Sequence, residues 1–382
     1  MEDFRMGEKP NRLLYIDNIR VFVIVMVILM HLAVTYSGFG GWYYFEGVEI
    51  NAAEMILFGF FQSFLQAFFM GLLFLISGYF VPAAYDRKGF GKFLKDRLVR
   101  LVIPGVVYMV IINPLLSYYL EVLLGKEMSG FFQYYGHYMT SDEVLEGNGP
   151  MWFVLALFIF NLVCALIRLV KKDPGTKTVN VTTRLLIGTG LLIALLTFLV
   201  RIVQPIGTSF LNMQFCYFVQ YIIFFVAGIF AYRGDVLSKL DAKLGKRFLI
   251  LALGPGFIFW GVTMLLGGAL DGDTFYNGGL TWQSAAFSLW ESLTAVLVSY
   301  GLLTLLREKF NTQGKLGQGL SKSAFATYMF HPPIIIGVCL LLRPLTIMPI
   351  FKFLLTGLIC VPLCFAIGYF VLIRIPGLKK IL

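Results

Sequence analysis

Apolar stretches long enough to cross a bilayer recur along this chain from one end to the other, and they constrain its fold more than any motif does. A spanning helix needs about 20 mostly apolar residues to cover a ~30 Å hydrocarbon core. Such windows fall at 15–36, 55–81, 99–122, 151–170, 185–203, 214–232, 248–268, 284–306, 324–342 and 351–373, which predicts ten helices. With 58% hydrophobic and 14% charged residues the chain departs from a soluble domain, where roughly 45–50% and about 25% are usual. The expected fold class is all-α, a polytopic transmembrane helix bundle. A single domain is expected over 1–382, with a short tail at 1–12 and an outer loop at about 123–150.

Charge orients the bundle. Of 31 Lys and Arg, 26 fall in alternate connections on one side. Only Lys126, Arg201, Arg343 and Lys352 fall on the other, where Glu46, Glu49, Glu121, Glu127, Asp142, Glu143, Glu146, Asp271 and Asp273 gather. The positive-inside rule then predicts that both termini are cytoplasmic. The net charge of +10 reflects topology and anionic lipid, and nucleic acid is not expected as a partner. The first apolar run carries Asp17 and Arg20 and lacks a small-residue cleavage site, so it reads as a retained span. Five cysteines all lie within predicted spans, which points to packing and not to disulfides, and no metal site is expected. No P-loop, dinucleotide fingerprint or zinc-protease helix is present. The aromatic run Gly40-Gly41-Trp42-Tyr43-Tyr44-Phe45 reads as an interfacial belt.

Ionisable residues inside hydrocarbon are costly and by default mark function. Arg20 and His31 lie eleven residues apart in the first span, close to three helical turns, so they share a face. A second histidine, His331, enters the ninth span directly before Pro332 and Pro333, with Tyr328 one turn earlier. Glu291 lies inside the eighth span and needs a partner such as Arg or His. His137, in the outer loop, reads as solvated. The basic stretch Lys92, Lys95, Arg97, Arg100 supports two readings, a loop held by anionic lipid or a cradle for a phosphorylated ligand. Arg97 and Arg100 are three apart near the start of the third helix, so they project from one side. Gly147-Asn148-Gly149-Pro150 could bend backbone into a cavity that Trp152 lines.

Together these residues resemble the acyltransferase-3 family of integral-membrane acyltransferases, bacterial enzymes that O-acylate surface glycans. The resemblance rests on Asp17-Asn-Ile-Arg20, the Arg20-x10-His31 spacing and Phe74-Leu-Ile-Ser77-Gly78-Tyr79. It continues through Arg97-x2-Arg100 with Pro104, Met151-Trp152-Phe153 and Ser323-x4-Tyr328-x2-His331-x-Pro333, in the family's order. The spacing from Arg100 to Pro104 is one residue longer than in some members. Some members carry an extra outer domain, and a separate extracytoplasmic partner is an expectation here. The resemblance implies residence in the bacterial cytoplasmic membrane and an acyl-CoA donor, acetyl-CoA or succinyl-CoA. The acceptor it implies is a glycan, a lipid-linked sugar or a similar hydroxyl compound.

On that implication Arg97, Arg100 and Lys95 hold the CoA phosphates. His31, desolvated and neutral, is the general base that deprotonates the acceptor hydroxyl, with an acyl-imidazole as the less favoured route. Arg20 contacts CoA or orients the site, paired with Asp17. His331, Tyr328, Trp152, Glu291 and Ser77 are the candidate substrate-binding or oxyanion residues. The rival class is a transporter or flippase of an envelope-glycan precursor, which an internal repeat would favour, and no repeat between the halves stands out. A membrane scaffold, the third class, leaves both intramembrane histidines without a role.

Overall fold

The structure is a computed structural model that describes residues 13–171 and 180–378; the tail at 1–12 lies outside them. Helix α1 (Leu14–Ser37) stops at Gly38, whose φ of 76° is the left-handed conformation a helix C-terminus favours, with its N–H donated to Val34 O. Asn51 and Glu54 form a reciprocal capping box that starts α2 (Ala52–Arg97). At 46 residues α2 far exceeds one crossing, and it is broken by Gly89, where φ is 69° and ψ is 171°. The chain continues through 98–123 as α3, in which π-helical turns at Leu98–Val102 and Tyr108–Ile112 alternate with α-helix.

The remaining long helices are α4 (Phe131–Thr140), α5 (Trp152–Val170), α6 (Thr183–Val203), α7 (Phe218–Arg233), α8 (Ala242–Leu253), α9 (Pro255–Leu266), α10 (Trp282–Lys309), α11 (Lys315–Leu342) and α12 (Pro349–Phe370). No strand occurs among the described residues, and the fold is an all-α polytopic bundle. Among the described residues, nine helical runs are long and apolar enough to cross a membrane. One of them, Ala52–Leu123, spans 72 residues and turns at Gly89, so its two arms correspond to the separate second and third predicted spans. Another, Ala242–Leu266, is α8 and α9 joined at Gly254, with Pro255 opening the second piece.

Helix α10 forms the centre, with 83% of its apolar window buried, packed by α1, α2, α6 and α8. The α2–α7 seam is the tightest. A Cβ placed on Gly78 would collide with Phe225 O, and one on Gly228 with Leu75 O. Small residues let helix backbones meet where lipid offers no hydrophobic drive. Gln220 adds a side-chain bond to Ala67 O at 2.9 Å across the seam.

This arrangement gives the bundle two unlike ends. The Gly89 bend and the end of α10 are basic. The opposite end carries the segment 38–51, α4 and the acidic turn Glu143–Glu146.

Candidate active site

His31 sits six residues before the end of α1, and His331 lies midway along α11. The prolines after His331 explain its geometry. Pro332 has no N–H, so the Tyr328 carbonyl loses its helical donor. His331 Nδ1 takes that place, donating to Tyr328 O at 2.7 Å. A carbonyl only accepts, so the bond fixes the Nδ1–H tautomer and leaves Nε2 with a lone pair, buried and unpaired. The two imidazole rings lie nearly parallel, 16° apart, with centroids at 5.1 Å. His31 is itself only partly buried; its Nδ1 is sealed and unpaired, which leaves Nε2 as the nitrogen open to the cavity.

Trp42 completes the cluster. Its ring lies on His31 at 3.7 Å and 15°, and its Nε1–H is buried without a partner. The segment that carries it is tied down at several points. Glu46 N donates to Thr35 O at 3.0 Å, and Lys352 of α12 pairs with Glu46. Tyr43 donates to Asn113 Oδ1 at 2.6 Å, and Asn113 Nδ2 donates to Tyr138 Oη at 3.2 Å. Burial raises the phenols of Tyr43 and Tyr138 above their ordinary value, so both stay protonated as hydrogen-bond donors.

Tyr328 Oη donates to Pro150 O and so fastens α11 to the turn before α5. In that turn Gly149 has φ of 49°, and the rings of Tyr43 and Tyr108 leave no room for a side chain. Trp152 follows directly, half-buried, and stacks on Tyr221 at 5.9 Å.

His31, Trp42, Tyr43, Asn113, Trp152 and Tyr328 line a cavity of about 1750 Å³ that runs from His31 to the acidic end. Six carboxylates border it, and no Lys or Arg does among the described residues. Glu291 is the deepest of them. It receives Arg201 at 2.6 Å in a pair with side-chain exposures of 3% and 0%. Arg201 also donates to Ser288 Oγ at 3.2 Å and lies over Tyr217 and Phe287. The partner that a buried carboxylate requires is therefore Arg201, 90 residues away in sequence.

The other expected site residues lie toward the basic end. Arg20 pairs with Asp17 at 3.4 Å and stands over the Phe80 ring at 5.0 Å. Arg97 lies over Phe93 at 5.0 Å, its Nε buried without a partner, within electrostatic range of Arg100 and Arg20. Lys95 and Arg100 are exposed. Ser77 is partly buried on α2, one turn from Phe80, and does not line the His31 cavity. Arg97 and Arg100 do not share the α-helical register their spacing implied. The Leu98–Val102 turn, which starts after Arg97 and contains Arg100, is π-helical, with Ile103 N donating to Leu98 O. That wider turn takes up one residue more than an α-turn, and it lies where the Arg100–Pro104 spacing is one residue long.

A family model described as an acyltransferase domain, of the acyltransferase-3 group, matches residues 13–369. The chain belongs to the acyltransferase-3 family. Among its relatives is glucans biosynthesis protein C of Escherichia coli strain K12, 24% identical over 378 residues, 96% of this chain and 92% of the relative. The same protein of Escherichia coli O9:H4 strain HS matches to the same extent. No solved structure matches the chain. It is thus a multi-pass membrane acyltransferase, and the paired histidines lie within its matched region.

Some residues of this candidate site escaped the sequence. Trp42 is no interfacial belt residue; Gly40 and Gly41 turn the chain back so that its indole packs on His31. Asn113, Asn212 and Gln62 carry no motif and reach the cavity only through the fold. His137, as expected, is exposed.

Proposed function

We propose that this protein transfers an acyl group from acyl-CoA, held at the basic end, to a hydroxyl of a glycan that occupies the cavity at the acidic end. The observation that carries the reading is the His31–Trp42–His331 stack at the head of that cavity, on the helix whose other end bears Arg20. The two residues lie eleven positions apart, about 16 Å along the axis at ~1.5 Å per residue. An extended thioester arm anchored by its phosphates at Arg97, Arg100 and Lys95 would bridge that separation. Charge supports the same direction. A polyanionic donor is repelled by a cavity bordered by six carboxylates and drawn to the cationic end. The charge asymmetry supports a basic end that faces the cytoplasm, with the protein in a bacterial inner membrane. The glycan acceptor is suggested by the name of the Escherichia coli relatives.

In this mechanism His31 Nε2 takes the proton of the acceptor hydroxyl as its oxygen attacks the thioester carbonyl. The tetrahedral intermediate collapses, the C–S bond breaks, and the CoA thiolate recovers the proton from His31. His331 has no proton at Nε2 and does not line the cavity, so it supports His31 from behind through the near-parallel ring contact and does not serve the oxyanion. Tyr328 and Trp152 shape the wall next to it. The test is thioester cleavage and transfer by the detergent-purified protein, with acetyl-CoA and succinyl-CoA compared. Transfer that is lost in His31→Ala, with membrane yield unchanged, supports the reading; transfer retained in that variant overturns it.

A further inference from the structure

Among the described residues, two ion pairs toward the acidic end are sealed from solvent. Arg201–Glu291 joins two spanning helices. Lys352–Glu46, with side-chain exposures of 3% and 6%, joins α12 to the 38–51 segment, which has no helix or strand of its own. Lys352 also stands in the first turn of its helix, where the helix dipole disfavours a cation. A sealed pair in general contributes no more stability than apolar residues of the same volume, and its best-attested role is to fix one arrangement out of several.

The pair is the meeting point of the three elements that supply the ring stack. Glu46 N donates to Thr35 O at 3.0 Å on α1, and Thr35 Oγ1 donates to His31 O at 3.0 Å one turn back. Lys352 Nζ donates to Arg343 O at 3.3 Å as well as to Glu46, which ties the segment to the C-cap of α11, the helix of His331. Glu54 Oε1 accepts from Ile350 N at 3.1 Å and holds the start of α12 against α2. Trp42 lies four residues before Glu46. Its indole N–H has no partner, so stacking on His31 and the backbone that carries the ring decide where it sits.

We propose that Glu46 and Lys352 are positioning residues whose pair clamps the 38–51 segment across the ends of α1 and α11 and so holds the Trp42 indole flat on His31. The effect of the clamp on rate rests on the acyl-transfer reading; its effect on access to His31 is measurable without turnover. Glu46→Leu/Lys352→Met exchanges the pair for apolar residues of similar volume and leaves no lone charge buried in the bundle. In the detergent-purified full chain this exchange is expected to lower kcat about 2- to 10-fold, as the loss of a stacked ring pair does, with KM for acyl-CoA unchanged. In a Trp42→Ala background the same exchange should lower kcat no further, because both changes remove one contact. Carbethoxylation by diethylpyrocarbonate, followed by mass spectrometry of the His31 and His137 peptides, reads the clamp directly, with the exposed His137 as internal reference. The rate at His31 relative to His137 should rise severalfold in the exchanged pair and stay at the wild-type value in Lys352→Arg. An unchanged kcat, a further loss on top of Trp42→Ala, or an unchanged rate at His31 overturns the proposal. A wild-type protein that transfers no acyl group, with His31 uncovered by the exchange as expected, would instead sink the acyl-transfer reading and leave the clamp standing.

Discussion

The two ends of α1 handle their ionisable side chains in opposite ways. At the acidic end His31 is held against an indole, with a second imidazole nearly parallel to it and a tethered segment above. At the basic end Arg20 keeps 41% of its side chain exposed, and Arg97, Arg100 and Lys95 lie on aromatic faces or in the open. A group that moves a proton must be within about 3 Å of its substrate, so its shell is built in advance. Groups that gather phosphates act by charge over longer range and tolerate mobile side chains. Rigidity is therefore concentrated where geometry sets the rate.

Substitutions at the two ends should separate along that line. His31→Ala is expected to reduce transfer by about 10²–10⁴-fold, the usual share of a general base, with little change in thermal stability. A rate within threefold of wild type would erase the distinction between the ends. Glu291→Ala leaves Arg201 buried and uncompensated, and should cost about 3–5 kcal/mol of stability, seen as a large drop in melting temperature in detergent. Arg97→Ala with Arg100→Ala should raise KM for acyl-CoA roughly 10- to 100-fold, the loss of a single charge-assisted bond of about 1.5–3 kcal/mol between them, with kcat nearly kept. A fall in kcat at constant KM would move those residues out of the donor cradle. Trp42→Ala should lower kcat about 2- to 10-fold, since a stacked ring pair contributes ~0.5–1.5 kcal/mol. Its donor KM should not move. A shift in donor KM alone would assign Trp42 to the far end.

How much of this could be read beforehand depended on whether the information was local. The spans followed from hydropathy, and the helical face shared by Arg20 and His31 followed from their spacing. His331 stood out because a histidine before two prolines is odd in hydrocarbon, and the same prolines turned out to set its tautomer. Trp42 was misassigned because residues after a Gly-Gly pair point wherever the turn sends them, and no periodicity records that. The pairing of Arg201 with Glu291 depends on α6 meeting α10, which is a tertiary fact. The register of Arg97 and Arg100 failed on the assumption of a regular α-helix, which one extra residue was enough to spoil.

The Gly78–Gly228 contact has a mechanical side. Where backbone rests on backbone, no flexible side chain lies between the helices to deform, and sliding one past the other would drive Cα atoms into carbonyls. Helices α2 and α7 thus form a single strut through the bundle. A carrier that works by rocking two halves needs a compliant seam, and this seam has no such give. The two helices therefore behave as one body, and any rocking motion of the bundle would need its hinge elsewhere.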